Sequence, residues 1–172
     1  KDIGQEYSWN IGLAILKEFS LFNRDGTITL DAYHTMFMNQ LVVDLDQSAT
    51  ELHFYSLDGQ SYSNSIQAEI NYDLNRRINI RAAYRYLDVK TDYVDDLVER
   101  PFISKHRGFI NMDYSTRKNN GKQWKVDITA QWIGSQRLPN TKESPEQYKL
   151  EARSPDFFLL NGQITRIASK ST

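Results

Sequence analysis

The stretch SNSIQAEINYDLNRRINIRAAYRYLDVK, residues 63–90, decides how the whole sequence is interpreted. Within two segments of it, every second residue is apolar or aromatic, and the residues between are polar or charged. The apolar set is Ile66, Ala68, Ile70 and Tyr72, then Ile78, Ile80, Ala82, Tyr84 and Tyr86. This period of two predicts two β-strands, each with one apolar and one polar face. A soluble sheet turns its apolar face to a core and a membrane barrel turns it to lipid, so the alternation alone leaves both open.

The composition limits the class of protein. The chain has 172 residues, enough for one domain, with 21 Lys and Arg against 22 Asp and Glu. That balance gives no reason to expect a nucleic acid partner. The absence of cysteine excludes disulfides, thiolate nucleophiles and Cys-ligated zinc. The longest apolar run, IGLAIL at 11–16, is far shorter than the about 20 residues of a membrane-spanning helix.

Alternation recurs along the chain and predicts an all-β fold of about seven antiparallel, up-and-down strands. We place them at 6–21, 26–43, 63–74, 77–89, 104–116, 123–135 and 156–168. The connections are short at 23–26, 74–76 and 117–123, and long at 44–62, 90–105 and 135–155. The Asp-Gly pair within 23–26 is typical of a tight hairpin turn. Tight turns at one end and long loops at the other are typical of outer-membrane barrels.

The aromatic residues that alternate with the polar ones, on the apolar face of the predicted strands, favour a membrane barrel over a soluble sheet. In strand 123–135, Trp124 and Trp132 bracket an apolar centre. Their spacing corresponds to about 19 Å of depth in a tilted strand, close to the apolar band of about 25 Å. The predicted girdle at the short-turn end consists of Tyr72, Tyr114 and Trp124. The predicted girdle at the long-loop end consists of Trp9, Tyr84, Tyr86 and Trp132.

The opposite parity is polar and is predicted to face a wet or plugged lumen. Its charged members include Glu69, Asp73, Arg77, Arg81, Asp113 and Asp127. If 74–76 forms a three-residue turn, Asp73 faces Arg77 and Glu69 faces Arg81, as stabilising pairs of opposite charge. The alternation in strand 26–43 is interrupted at His34, which occupies a position where an apolar residue is expected. Either a bulge switches the parity there, or the strand has already left the bilayer.

The long loops are predicted to bind a ligand rather than to catalyse a reaction. The candidate contact residues are Tyr55, Tyr62, Tyr93, Phe102, Arg137 and Tyr148. Aromatic and Arg groups on such a rim suit a metal chelate, a cobalamin-like molecule or an oligosaccharide. His34, His53 and His106 lie on separate segments without a nucleophile motif, so we expect no catalytic residue, no metal site and no cofactor. The acidic cluster at 92–96 is interpreted as a solvated loop rather than a Ca²⁺ site.

Several segments resemble the C-terminal part of the barrel of TonB-dependent outer-membrane receptors. They are SWNIGLAILKEF, GTITLDAYHTMFMNQLVVDLD, FYSLDGQSYSNSIQAEINYDL, INIRAAYRYLDVKT, RPFISKHRGFINMDYST and QWIGSQRLPNT. NQLVVDLD, SLDGQSYSNS and RPFISKHR resemble the subgroup with an N-terminal carboxypeptidase-regulatory-like domain. The resemblance implies an outer-membrane location, a 22-stranded barrel, a plug domain and import driven through TonB.

The resemblance also implies that residues 1–172 form a partial barrel domain. The plug, the TonB box, the early strands and the final strands of such a receptor have no counterpart here, so we expect a segment of a transporter. Two other functions stay open on the residues alone. One is a soluble all-β ligand-binding module with its apolar faces turned inward. The other is a β-rich hydrolase, which needs convergent carboxylates such as Glu69, Asp113 and Asp127.

Overall fold

A computed structural model describes residues 5–46, 51–57, 59–93, 96–142 and 144–168, and these residues form ten β-strands and one 3₁₀ turn. The strands are β1 (Tyr7–Leu21), β2 (Arg24–Met38), β3 (Leu41–Asp44), β4 (His53–Ser56), β5 (Ser61–Asn75), β6 (Ile78–Tyr93), β7 (Asp96–Glu99), β8 (His106–Ser115), β9 (Gln123–Ile133) and β10 (Phe157–Ile167). The 3₁₀ turn spans Glu146–Tyr148. No helix in the described part of the chain is long and apolar enough to cross a membrane.

The main sheet is an antiparallel meander in the order β1-β2-β5-β6-β8-β9-β10. It confirms the predicted all-β, up-and-down fold. Strand β7 adds to the far end of β6, and β3 pairs with β4 as a separate hairpin. Strands β1 and β10 stand at the two ends of this order, so the sheet is open. The tight connections all lie at one end and the long ones at the other, as predicted.

Two boundary predictions were wrong. The predicted strand 26–43 ends at Met38, because Asn39 adopts a left-handed backbone (φ 54°), and the chain resumes as β3. The turn predicted at 23–26 instead uses Phe22 and Asn23, both with positive φ. Gly26 therefore lies within β2, where the ring of Phe19 covers its Cα. The four-residue strands β3, β4 and β7 were not predicted, because so short a strand shows too little alternation to detect.

The register between β5 and β6 also differs from the prediction. Their connection is a two-residue turn, Arg76 and Arg77, preceded by an irregularity between Asp73 and Asn75. The displaced turn and the extra residue Leu74 together shift the pairing by two positions, so Asp73 lies opposite Asn79. The predicted Asp73–Arg77 pair is therefore wrong, and Arg77 is a turn residue rather than a strand residue.

The register divides the main sheet into two chemically distinct faces. We call the face that carries Ile11, Leu13 and Ile70 the apolar face, and the face that carries Glu69 and Arg81 the polar face. All seven predicted girdle residues share the apolar face: Trp9, Tyr72, Tyr84, Tyr86, Tyr114, Trp124 and Trp132. The polar face carries the predicted strand residues Glu69, Asp73, Arg81, Asp113 and Asp127.

The apolar face is open to the surroundings rather than packed against a core. Trp9, Ile11 and Leu160 are 68%, 71% and 77% exposed. Among the described residues only two hydrophobic side chains are buried, Val42 and Leu57, and both belong to the long-loop end. A sheet with so large an exposed apolar surface requires a covering partner.

The aromatic residues of the long-loop end define the tilt of the strands. The neighbours of Trp132 across the sheet are, in order, Gly108, Tyr84, Ala68, Leu30 and Ile15. Trp9 lies six residues from Ile15 along β1, toward the long-loop end. A stagger of six residues over five strand steps corresponds to a tilt of about 40° if Trp9 and Trp132 share one level. That value falls within the range of about 35–45° found in membrane barrels.

The girdle at the short-turn end is staggered in the same direction. Trp124 accepts a backbone hydrogen bond from Thr116, and Tyr114 lies two residues nearer the long loops. Tyr114 pairs with Ile78 on β6, and Tyr72 pairs with Ile80 on the same strand. Ile80 lies two residues nearer the long loops than Ile78, so Tyr72 is displaced from Tyr114 in that direction. The aromatic residues of both predicted girdles are therefore staggered in one direction across the sheet.

The same tilt explains the interruption at His34. Strand β2 pairs continuously with β1 and β5 over its length, so the bulge alternative is wrong. His34 lies four residues beyond Leu30 toward the long loops, close to the tilted level of Trp9 and Trp132. Its Nδ1 atom is 2.6 Å from Oδ1 of Asn64. A polar pair at this level matches the alternative in which the strand leaves the apolar band at His34.

Candidate ligand-binding site at the long-loop end

The long connections are joined to one another across the top of the sheet. Asp46, just after β3, accepts a 2.6 Å hydrogen bond from Nη2 of Arg137 and a 2.8 Å bond from the backbone of Asn140. The backbone N–H of Phe102 donates to the carbonyl of Arg137 at 2.9 Å. Three loops that are far apart in sequence thus form one platform.

Glu99 at the end of β7 is the charged centre of a second junction. Its carboxylate lies 2.6 Å from Nζ of Lys105 and 2.9 Å from Nη1 of Arg153. Burial favours a higher pKa for Glu99, but the hydrogen bonds and charges of Lys105 and Arg153 outweigh it and hold the pKa below its ordinary value. The hydrogen bond to Glu99, with a further contribution from Asp88, raises the pKa of Lys105.

A cavity of about 660 Å³ lies between β7 and the last long loop, within the size range of ligand sites. Its walls come from Lys90 on β6, from β7, and from residues 137–142 and 149–153. Five cationic side chains line it, against two carboxylates. The cations are Lys90, Arg137, Lys142, Lys149 and Arg153, and the carboxylates are Glu99 and Glu151. Arg137, Lys149 and Arg153 are already paired with Asp46, Glu146 and Glu99. Lys90 and Lys142 make no ion pair within the described residues, so they are the cations left to attract a negatively charged ligand.

Of the five predicted contact residues whose side chains the structure describes, one lines this cavity. That residue is Arg137. Phe102 is exposed beside it, with a left-handed backbone at φ 61°. Tyr148 is exposed on the 3₁₀ turn, and the hydroxyl of Tyr55 donates to Asp44 at 3.1 Å.

Tyr62 and Tyr93 complete the predicted set. Tyr62 shares the apolar face, and its hydroxyl donates to Asp88 at 3.4 Å. Tyr93 is the last residue of β6, and its side chain lies outside the described part of the structure. The acidic cluster 92–96 lies partly outside the described residues as well. No group of acidic and histidine side chains within the described ranges is arranged to hold a metal ion.

Sequence reasoning missed the cavity cations Lys90 and Arg153. Lys90 was placed at a loop boundary, and Arg153 was one of many charges in the last loop. The sequence around each residue does not mark it as part of a binding site, because the cavity forms from segments about 50 residues apart. Only the placement of both residues beside β7 reveals them.

The polar face supports a network of side chains below this platform. Nδ2 of Asn111 donates to Asp127 Oδ2 and to Thr129 Oγ1, at 2.8 Å each. Asp113 lies directly opposite Asp127 in the register. Two of the three carboxylates weighed for a hydrolase thus meet here, whereas both oxygens of Glu69 accept hydrogen bonds from Arg81.

The apolar face ends at the platform in an aromatic cluster around His106. Its Nδ1 atom is 2.6 Å from the hydroxyl oxygen of Tyr84. Its ring lies 5.4 Å from that of Tyr86 and 6.5 Å from that of Trp132. Nε1 of Trp132 donates to Asp156 at 3.0 Å. Rings with polar atoms turned toward the loops suit the boundary between an apolar phase and water.

This combination defines a class of protein: the wall of a β-barrel with an aromatic-edged apolar outer surface, a polar inner surface and a loop platform at one end. Residues 4–167 match the family model described as TonB dependent receptor-like, beta-barrel, and the chain belongs to this family. The comparison with curated proteins gave no match. The family consists of outer-membrane receptors and transporters rather than enzymes.

Proposed function

We propose that this chain forms part of the wall of an energy-coupled outer-membrane importer that captures a scarce ligand at its long-loop end. The observation that supports this most strongly is the platform of joined loops around a cation-lined cavity. The cavity lies at the long-loop end of the sheet, where Lys90 and Glu99 share the register parity of Tyr86. The importer has no chemistry of its own, because capture and passage need only binding and movement.

In this proposal the apolar face contacts membrane lipid and the polar face lines the lumen. The open edges of β1 and β10 then pair with further strands, so that residues 1–172 are one sector of a barrel of about 22 strands. A strand tilt of about 40° supports this arrangement. A plug domain and TonB act as partners through other parts of the receptor, and an N-terminal carboxypeptidase-regulatory-like domain belongs to the same proposal.

The candidate ligands are a metal chelate, a cobalamin-like molecule and an oligosaccharide. Residues Tyr55, Tyr62, Tyr93, Phe102, Arg137 and Tyr148 remain the predicted contact residues, and Arg137 has the strongest support because it lines the cavity. A soluble ligand-binding module is a weaker alternative. It requires the apolar face to be enclosed, yet the described sheet is open and most of its large apolar side chains are exposed.

The test uses the full-length receptor in its native outer membrane. We expect it to fractionate with that membrane, to change its gel mobility on heating, and to support uptake of one radiolabelled candidate ligand. Uptake should stop when the proton gradient is collapsed, whereas surface binding should continue. The substitution Asp46→Ala, which releases Arg137 and Asn140, should weaken surface binding at least threefold.

The matched control is Asp25→Ala in the short-turn region, which should leave ligand binding unchanged. A receptor found in the soluble fraction would contradict the assignment of the apolar face to lipid. Uptake that continues without the proton gradient would contradict energy coupling.

A further inference from the structure

Two arginines stand directly opposite each other on the polar face. Arg85 on β6 and Arg107 on β8 are paired in the register, so their side chains leave the same face of neighbouring strands. Like charges in this position destabilise a sheet. Neither guanidinium group makes an ion pair with any carboxylate of the residues that the structure describes.

No carboxylate lies directly beside this pair, and the one acid in its row, Asp31 on β2, lies beyond Gln67 and makes no ion pair within the described residues. In the same row, Gln67 lies opposite Arg85 and Ile133 lies opposite Arg107. The nearest acid along β5 is Glu69, but Nε and Nη2 of Arg81 already hold its two oxygens at 2.8 and 2.9 Å. The two guanidinium groups therefore have no partner in the described wall to balance their charge.

The depth of the pair places it below the loop platform. Arg85 and Arg107 are chain neighbours of Tyr86 and His106, which belong to the aromatic cluster at the long-loop end. Their side chains point to the opposite face from these rings, because adjacent residues of a strand alternate. The cavity residues Lys90 and Glu99 share the register parity of Tyr86, so the arginine pair lies on the other face of the sheet from them.

We propose that the imported ligand carries a carboxylate or phosphate group that Arg85 and Arg107 bind together on the lumenal wall. Each guanidinium group carries several N–H donors, and donors from two adjacent strands can bind the oxygens of one such anion. This inference rests on the proposed function, since it assigns the polar face to the lumen.

The test measures binding of radiolabelled pyrophosphate and of citrate to the detergent-purified full-length receptor by equilibrium dialysis. We expect both anions to bind, and the double variant R85Q/R107Q to bind at least tenfold more weakly. The control variant R117Q/K118Q removes two charges from the turn between β8 and β9, at the other end of the sheet, and should bind as the wild type does. Equal binding by the wild type and R85Q/R107Q would overturn the proposal.

A second measurement separates a ligand anion from a carboxylate of the plug domain. In dilute chloride, without a polyvalent anion, R85Q/R107Q should unfold at the same temperature as the wild type or a higher one, because repulsion is relieved. A lower unfolding temperature would show that a protein carboxylate already neutralises the pair, and would overturn the proposal. A receptor that imports its ligand under the proton gradient yet binds neither anion would overturn this inference and leave the proposed function intact.

Discussion

Arg81 holds Glu69 by two hydrogen bonds of 2.8 and 2.9 Å, although the two residues are not direct partners in the sheet. Arg81 lies opposite Asn71, and Glu69 lies opposite Ala83. The long guanidinium side chain crosses the diagonal between β5 and β6, a distance that long side chains can span. The ion pair predicted from the sequence thus exists in a different register.

We predict a measurable coupling between these two side chains. A double-mutant cycle of E69Q and R81Q should give a coupling energy of about 0.5–1 kcal/mol, small because the Arg81 side chain is half exposed. The coupling should weaken in 1 M salt, where the screening length is about 3 Å. The measurement is the free energy of unfolding of the full-length receptor in denaturant. A coupling that does not change with salt would contradict an ionic interaction.

The Glu99 junction should give the loop platform an acid-sensitive stability. The folded state lowers the pKa of Glu99, so its contribution is present above the ordinary carboxyl pKa and is lost as pH falls through the lower folded value. We expect hydrogen-exchange protection in 99–105 and 135–154 to decline below about pH 4.3. At pH 6, E99Q should show the reduced protection that the wild type shows in acid.

The control for this experiment is E151Q, since Glu151 makes no ion pair within the described residues although it lines the same cavity. Lys105 limits the stability of the same junction at high pH. Its pKa is raised in the folded state, so its contribution is present below the ordinary lysine pKa of about 10.4 and is lost as pH rises through the higher folded value. Protection in E99Q that still declines in acid as in the wild type would contradict the role of Glu99.

The tilt of about 40° requires Trp9 and Trp132 to lie at the same membrane depth, and we predict that they do. In single-tryptophan receptors reconstituted into vesicles, lipids brominated near the headgroup should quench both residues equally and more than lipids brominated at the chain end. Without the tilt, the six-residue stagger would place Trp9 about 20 Å farther along the strand axis, beyond the lipid. An unquenched Trp9 beside a quenched Trp132 would contradict the common level.

Gly12 is predicted to be intolerant of a side chain. Tyr33 lies opposite it, and a Cβ atom at Gly12 would overlap the Tyr33 ring. We expect G12A to cost about 1–3 kcal/mol of unfolding free energy, as for overpacked sites. The double variant G12A/Y33S should recover most of that loss.

Gly162 on β10 is the matched control for Gly12. A Cβ atom there would meet its nearest neighbour, the carbonyl oxygen of Asp127, at 3.8 Å, an ordinary contact. We expect G162A to be neutral or slightly stabilising, because alanine lowers the entropy of the unfolded chain. Equal losses in G12A and G162A would show that a general strand requirement, rather than the Tyr33 ring, excludes the side chain.

Part of the site could be predicted from the sequence, and the rest depended on distant segments. Arg137 was recognised as a loop arginine, but its partner Asp46 is 91 residues away. The opposition of Arg85 and Arg107 depends on the register between β6 and β8, which are connected by residues 94–105 with the short strand β7 among them. Loop length does not specify register, so neither relationship can be predicted from the local sequence pattern.

The alternation of side chains by itself determined that this protein is an antiparallel sheet with one apolar and one polar face. Adjacent side chains of a strand must point to opposite faces, so the pattern is local and the sequence displays it directly. The tertiary structure alone decided the tilt, the Leu74 irregularity, the short strands β3, β4 and β7, and the cation-lined cavity. The tilt and the cavity depend on pairing between residues far apart in the chain, whereas the Leu74 irregularity and the pairing of β7 with β6 arise between residues close in sequence. In both cases the energies depend on cross-strand geometry that only the assembled sheet provides.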